Sequence, residues 1–176
     1  MWKWIVAGVA VVALGVGLWA FEPWRLFTSS EIDEPLPTVA VDDGTQSQGA
    51  PQSGEPLEPE QPELVELAQG DFEDAEHGTS GSARIIELSD GSRFVRFEDL
   101  ATSDGPDLHV WVTDQPSGGD WGSYDDGRYV KLGELKATHG NQNYEIPEGA
   151  DLDGLTSVVI WCDRFNVAFG TAPVDL

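Results

Sequence analysis

The chain has 176 residues and a formal net charge of −23, from 32 acidic against 9 basic residues. A field of that sign repels nucleic acid and anionic lipid, which excludes both as partners of the soluble part. A single cysteine excludes an internal disulfide, and a single methionine, Met1, excludes an axial thioether ligand to haem.

The first element is an uncharged run from Trp4 to Phe21. As a helix its length is about 27 Å, close to a hydrocarbon core of about 30 Å. Trp2, Trp4, Trp19 and Trp24 bracket it at the two headgroup levels. Residues 1–22 are therefore expected to be an N-terminal transmembrane anchor contacting the cytoplasmic membrane through residues 4–21. Lys3 before the run and Glu22 after it orient a single-pass protein with its N-terminus in the cytoplasm and its C-terminal domain outside. A cleaved signal peptide is the competing reading, but Leu18-Trp19-Ala20 makes a poor small-x-small cleavage site.

Residues 23–66 change character. They are rich in Pro, Gly, Ser, Gln and acid and bury too little apolar surface to offset ordering entropy, which predicts a disordered acidic linker. Within PELVELAQG, Leu64 and Leu67 share a helical spacing and Gly70 is a stop, so a short helical turn is expected before the domain.

Residues 67–176 read as one all-β domain, an antiparallel sandwich. ARIIEL (83–88) and RFVRFEDL (93–100) flank SDGS, whose Asp-Gly step signals a hairpin. DLHVWVT (107–113) alternates, with Leu108, Val110 and Val112 on one face and His109 and Trp111 on the other. RYVKLGEL (128–135), QNYEI (142–146), TSVVIWC (156–162) and FNVAFG (165–170) complete the strands.

In TSVVIWC both faces are apolar, so the strand is central, with Cys162 on the face of Val158 and Ile160. A small buried hydrophobe is one reading of this cysteine. A reactive thiol at a strand end is the other, with Arg164 able to stabilise a thiolate and Asp163 opposing it. The three histidines, His77, His109 and His139, do not pair at i, i+4 or as neighbouring histidines at i, i+2, and no metal site is assigned. Cys-x-x-Cys-His is missing, which excludes covalent c-type haem, and neither a nucleophile elbow nor a phosphate loop occurs. Trp121, Tyr124 and Tyr129 fall in or near one loop. With Trp111 on the neighbouring strand, the first two offer an alternative: a non-catalytic cell-surface module binding glycan or protein through Trp111, Trp121 and Tyr124.

Four blocks, GDFEDAEHGTSGSARI (70–85), GPDLHVWVT (105–113), YVKLGELKATHGNQNYEIP (129–147) and SVVIWCDRFNVAFGTAPV (157–174), resemble the DM-thirteen domain family. The resemblance implies a β-sandwich with an extracellular electron-transfer role centred on the cysteine of the WC step, Cys162. That cysteine would serve as a naked thiol or as ligand to a prosthetic group such as haem, and an external redox partner is implied. His77 matches a histidine common in the first block and, with Arg164, is a candidate neighbour of the thiol. His109 and His139 carry no role over from the family. A sandwich interior about 10 Å thick and filled by side chains favours a thiol at a strand end over an enclosed haem.

Overall fold

The computed structural model describes residues 2–21, 28–39 and 64–176. Helix α1 spans Trp2–Phe21, with side chains described as far as Gly17. The expected transmembrane span is not found: among the described residues no helix is long and apolar enough to cross a membrane.

The rest is β-structure in two sheets. The first sheet has the order β1-β8-β5-β4-β2, with β1 Glu31–Asp33, β2 Leu64–Asp71, β4 Ser80–Leu88, β5 Arg93–Ala101 and β8 His139–Ile146. The second has the order β3-β10-β9-β6-β7, with β3 Glu73–Asp74, β6 Leu108–Thr113, β7 Tyr129–Glu134, β9 Ser157–Cys162 and β10 Val167–Pro173. The sandwich and all seven strands expected from alternation are present. The β4–β5 hairpin turns where SDGS places it. Gly91 adopts φ 85°, and the Asp90 carboxylate accepts hydrogen bonds from the Ser92 amide and hydroxyl.

Inward residues of both sheets form the main core, including Ile85, Val95, Phe97 and Tyr144 from one and Val110, Val112, Val158, Ile160 and Cys162 from the other. A second cluster lies on the outer face of β6 and β9, made of Trp111, Tyr124, Val159, Trp161 and Ala168. The 114–128 loop folds back over this face. Its Tyr124 carbonyl accepts from the Thr113 hydroxyl, and the Tyr124 hydroxyl accepts from the Gly119 amide. This explains why β9 is apolar on both faces: one packs between the sheets and the other beneath the loop.

Two expectations about the approach to the domain are corrected. The described part of PELVELAQG, from Leu64 on, lies in strand β2 rather than a helical turn, because it pairs with β4 from Leu64↔Leu88 to Asp71↔Ser82. Ladder hydrogen bonds and the packing of Ala68 on the core outweigh a weak local helical preference. Part of the stretch expected as disordered linker is ordered as well. Strand β1 pairs parallel with β8 in the register Glu31↔His139 to Asp33↔Asn141. Polar contacts hold it where apolar burial could not: Lys136 and the Asn143 amide both donate to the Glu34 carboxylate. The remaining linker positions, 23–27 and 40–63, lie outside the described residues.

Candidate functional site

Cys162 ends β9 on the inner face and has no exposed surface. The chain reverses directly after it, with the Asn166 amide donating to the Cys162 carbonyl at 2.9 Å and Asn166 itself at φ 55°. Burial raises the pKa of the thiol. The backbone amides of Phe165, Arg164 and Asp107 facing the sulfur oppose that rise, and the Asp107 charge adds to it. The balance lies above the ordinary thiol value, so the sulfur is S–H at neutral pH and a poor nucleophile. The strand end thus does not expose the thiol: the 163–166 reversal closes over it.

Arg164 contributes to this environment through its amide. His77, the other candidate neighbour, is not among the groups acting on the Cys162 thiol. His77 lies with its ring 4.1 Å from the Phe169 ring and its Nε2 3.1 Å from the Glu76 carboxylate. His139 Nδ1 is 2.9 Å from the Thr138 hydroxyl, and its amide donates to Ser30. Haem does not fit these residues. The sulfur is enclosed by its own turn, no imidazole is among the groups acting on it, and the nearby cavity of about 270 Å³ is lined instead by Asp104, Asp107, Leu108 and Glu134.

Of the three rings expected to form a binding platform, Trp111 and Tyr124 are sealed at 2% and 1% exposure, and Trp121 is exposed at 51%. A face built from all three is therefore closed by the very loop that carries two of them.

The outer face of the second sheet holds a different aromatic array. The Trp111 ring is stacked on Tyr129 at 4.4 Å with 9° between planes, and on Trp161 at 4.9 Å with 28°. Lys131 Nζ sits 4.5 Å from the Trp111 centroid and 3.3 Å from the Asp163 carboxylate. The stack runs from partly exposed Tyr129 to Trp161, the residue before the thiol. Sequence reading placed Trp111 on this face but missed Trp161 and Tyr129 as its neighbours. Alternation supplies the face of each residue, whereas the order of strands β7-β6-β9, which brings the rings together, is a tertiary fact.

No curated protein and no solved structure matches the chain. Residues 71–174, more than half of it, match a family model described as "Electron transfer DM13". The matched span covers β3 to β10, including the thiol, its closing turn and the ring stack, and the chain belongs to the DM13 family.

Proposed function

We propose that the domain transfers single electrons, with Cys162 as the redox-active atom and the stacked rings of Trp161, Trp111 and Tyr129 as the route to the surface. The observation that supports this is the continuous stack, at 4.4 and 4.9 Å, in a domain of a family described by electron transfer. A sealed thiol cannot exchange groups with an outside disulfide, because exchange needs a thiolate in contact with the partner sulfur. An electron needs no such contact.

An external one-electron oxidant takes an electron at Tyr129 and is reduced by one electron. The vacancy passes through Trp111 and Trp161 to Cys162, where the S–H bond gives up an electron and a proton and leaves a thiyl radical. The proton goes to the Asp107 carboxylate, whose charge already acts on the thiol. A one-electron donor reverses every step. Lys131 above Trp111 opposes positive charge on that ring, and its pairing with Asp163 limits the penalty.

Photochemical one-electron oxidation of the whole chain, followed by transient absorption, tests the assignment. The tryptophan radical is expected to decay into the thiol and to live at least several-fold longer in Cys162→Ser. Equal lifetimes in the two proteins would remove Cys162 from the route.

The same reading places the domain outside the cell, with apolar α1 attaching it to the cytoplasmic membrane and exposed Trp121 available to an external partner. After a high-salt wash the whole chain is expected to stay with the membrane fraction, and a chain lacking residues 2–21 to be released. Recovery of the whole chain in the soluble fraction would sink this placement.

A further inference from the structure

We propose that Asp107, His109 and Asp163 form a binding site for a divalent first-row transition-metal ion, with His109 Nε2 and one carboxylate oxygen from each aspartate as ligands. These three ligand atoms lie within 4.8 Å of one another. Nε2 is 3.0 Å from the Asp107 Oδ1 and 3.5 Å from the Asp163 Oδ2. Ligand bonds of about 2.0–2.2 Å set at tetrahedral or octahedral angles separate neighbouring donors by about 3.0–3.5 Å. Both nitrogen–oxygen spacings already fall in that range, and the two carboxylate oxygens lie within 4.8 Å of each other.

The backbone fixes this arrangement. His109 lies opposite Trp161 in the β6–β9 ladder, and the Asp163 amide donates to the Asp107 carbonyl at 3.0 Å. Asp107, in the turn just before β6, brings its carboxylate back to the His109 ring near the start of that strand. The residues are therefore held together by main-chain bonds, and no rearrangement is needed to gather them.

The imidazole sets this cluster apart from the acidic turns elsewhere in the chain. One Nε2–H can serve one carboxylate well, yet two converge on it. Asp163 leans for compensation on Lys131, a side chain 47% exposed. A divalent ion satisfies both carboxylates and the nitrogen lone pair together. One nitrogen and two oxygen donors suit zinc, cobalt, nickel or copper, whereas calcium and magnesium favour oxygen alone. The donors are partly open, with side-chain exposures of 40%, 19% and 32% for Asp107, His109 and Asp163, so water completes the coordination. Cys162 lies on the opposite face of β9 and is not a ligand. The site goes beyond the electron-transfer reading, with which it shares the Asp107 carboxylate, and Zn²⁺ binding tests it whether or not that reading holds.

Titration of the whole chain with Zn²⁺, in excess Mg²⁺ to occupy scattered carboxylates, tests the proposal. One site is expected, with affinity falling more than about 100-fold in His109→Phe, since loss of even an outer-shell partner costs about 10–100-fold. Lys131→Met is expected to bind about threefold tighter, because the competing ammonium is gone. Co²⁺ should shift the ring-proton resonances of His109 and leave those of His77 and His139 in place. If His109→Phe fails to fold, Asp163→Asn replaces it with the same expectation. Absence of a Zn²⁺ site in the unaltered chain, an affinity unchanged in a folded ligand variant, or Co²⁺ shifts at His77 or His139 instead would each overturn the proposal.

Discussion

Trp161→Ala is expected to lower the free energy of unfolding by about 3–5 kcal/mol, the usual cost of removing a large buried aromatic. The side chain is 1% exposed and stacks on Trp111 on the outer face of β9. Val159, Ala168 and Tyr124 belong to the same cluster. These neighbours are fixed by two ladders and by the hydrogen-bonded 114–128 loop, so they cannot collapse into the space left behind. The penalty therefore includes a cavity as well as lost transfer energy. Trp121→Ala is the matched control: its ring is 51% exposed, and substitutions of that kind stay within about 0.5 kcal/mol. Urea unfolding followed by circular dichroism measures both. A loss below about 1 kcal/mol for Trp161→Ala would mean that the cluster beneath the loop is not a second core.

Why a sequence reader reaches the strands but not this cluster follows from the range of the interactions. Alternation is a local property, so Leu108, Val110 and Val112 separate from His109 and Trp111 at sight, and the same holds for Val158, Ile160 and Cys162 against Val159 and Trp161. The face of the thiol was legible for that reason. Its accessibility was not, because Asp163 and Arg164 mark the end of an apolar run without indicating that the next residues turn back over the sulfur. Tyr124 read as a candidate contact ring because an aromatic in a loop carries no local sign of where the loop lies, and Trp111 because alternation gives its face but not the loop that covers it. Strand β1 was the hardest element: Glu31-Ile32-Asp33 offers one apolar side chain, and its partner β8 is more than a hundred positions away. The closeness of Asp107 and His109, two positions apart, was within reach of spacing alone, while Asp163 joins them only through the register Leu108↔Cys162.

Strand β1 supplies the second large effect, since it is a polar strap whose attachment should respond to both geometry and pH. Gly140, opposite Ile32, has φ 94°, and a Cβ there would overlap the Ile32 carbonyl. Gly140→Ala is therefore expected to cost about 1–3 kcal/mol in backbone strain and to displace β1 from β8. Acid should produce the same displacement without a substitution. Burial pushes the Glu34 carboxyl pKa up, but hydrogen bonds from Lys136 and the Asn143 amide, with the charges of Lys136 and Arg96, outweigh it and hold it below the ordinary carboxylate value. A carboxylate with a depressed folded pKa stabilises fully above its unfolded value, and that stabilisation is lost as pH falls through the folded value. The strap is thus expected to hold at neutral pH and to loosen only below the ordinary carboxylate range. Hydrogen exchange reads it directly: the amides of His139 and Glu34, bonded to Ser30 and Asn141, should lose protection on acidification before the β4–β5 ladder does. Glu34→Gln removes the ionisable group and the Lys136 ion pair together, so those amides should exchange faster at neutral pH and respond little to acid. Unchanged protection of His139 and Glu34 in acid, with Glu34→Gln matching the parent, would show that the main-chain pairing of β1 holds without the charge.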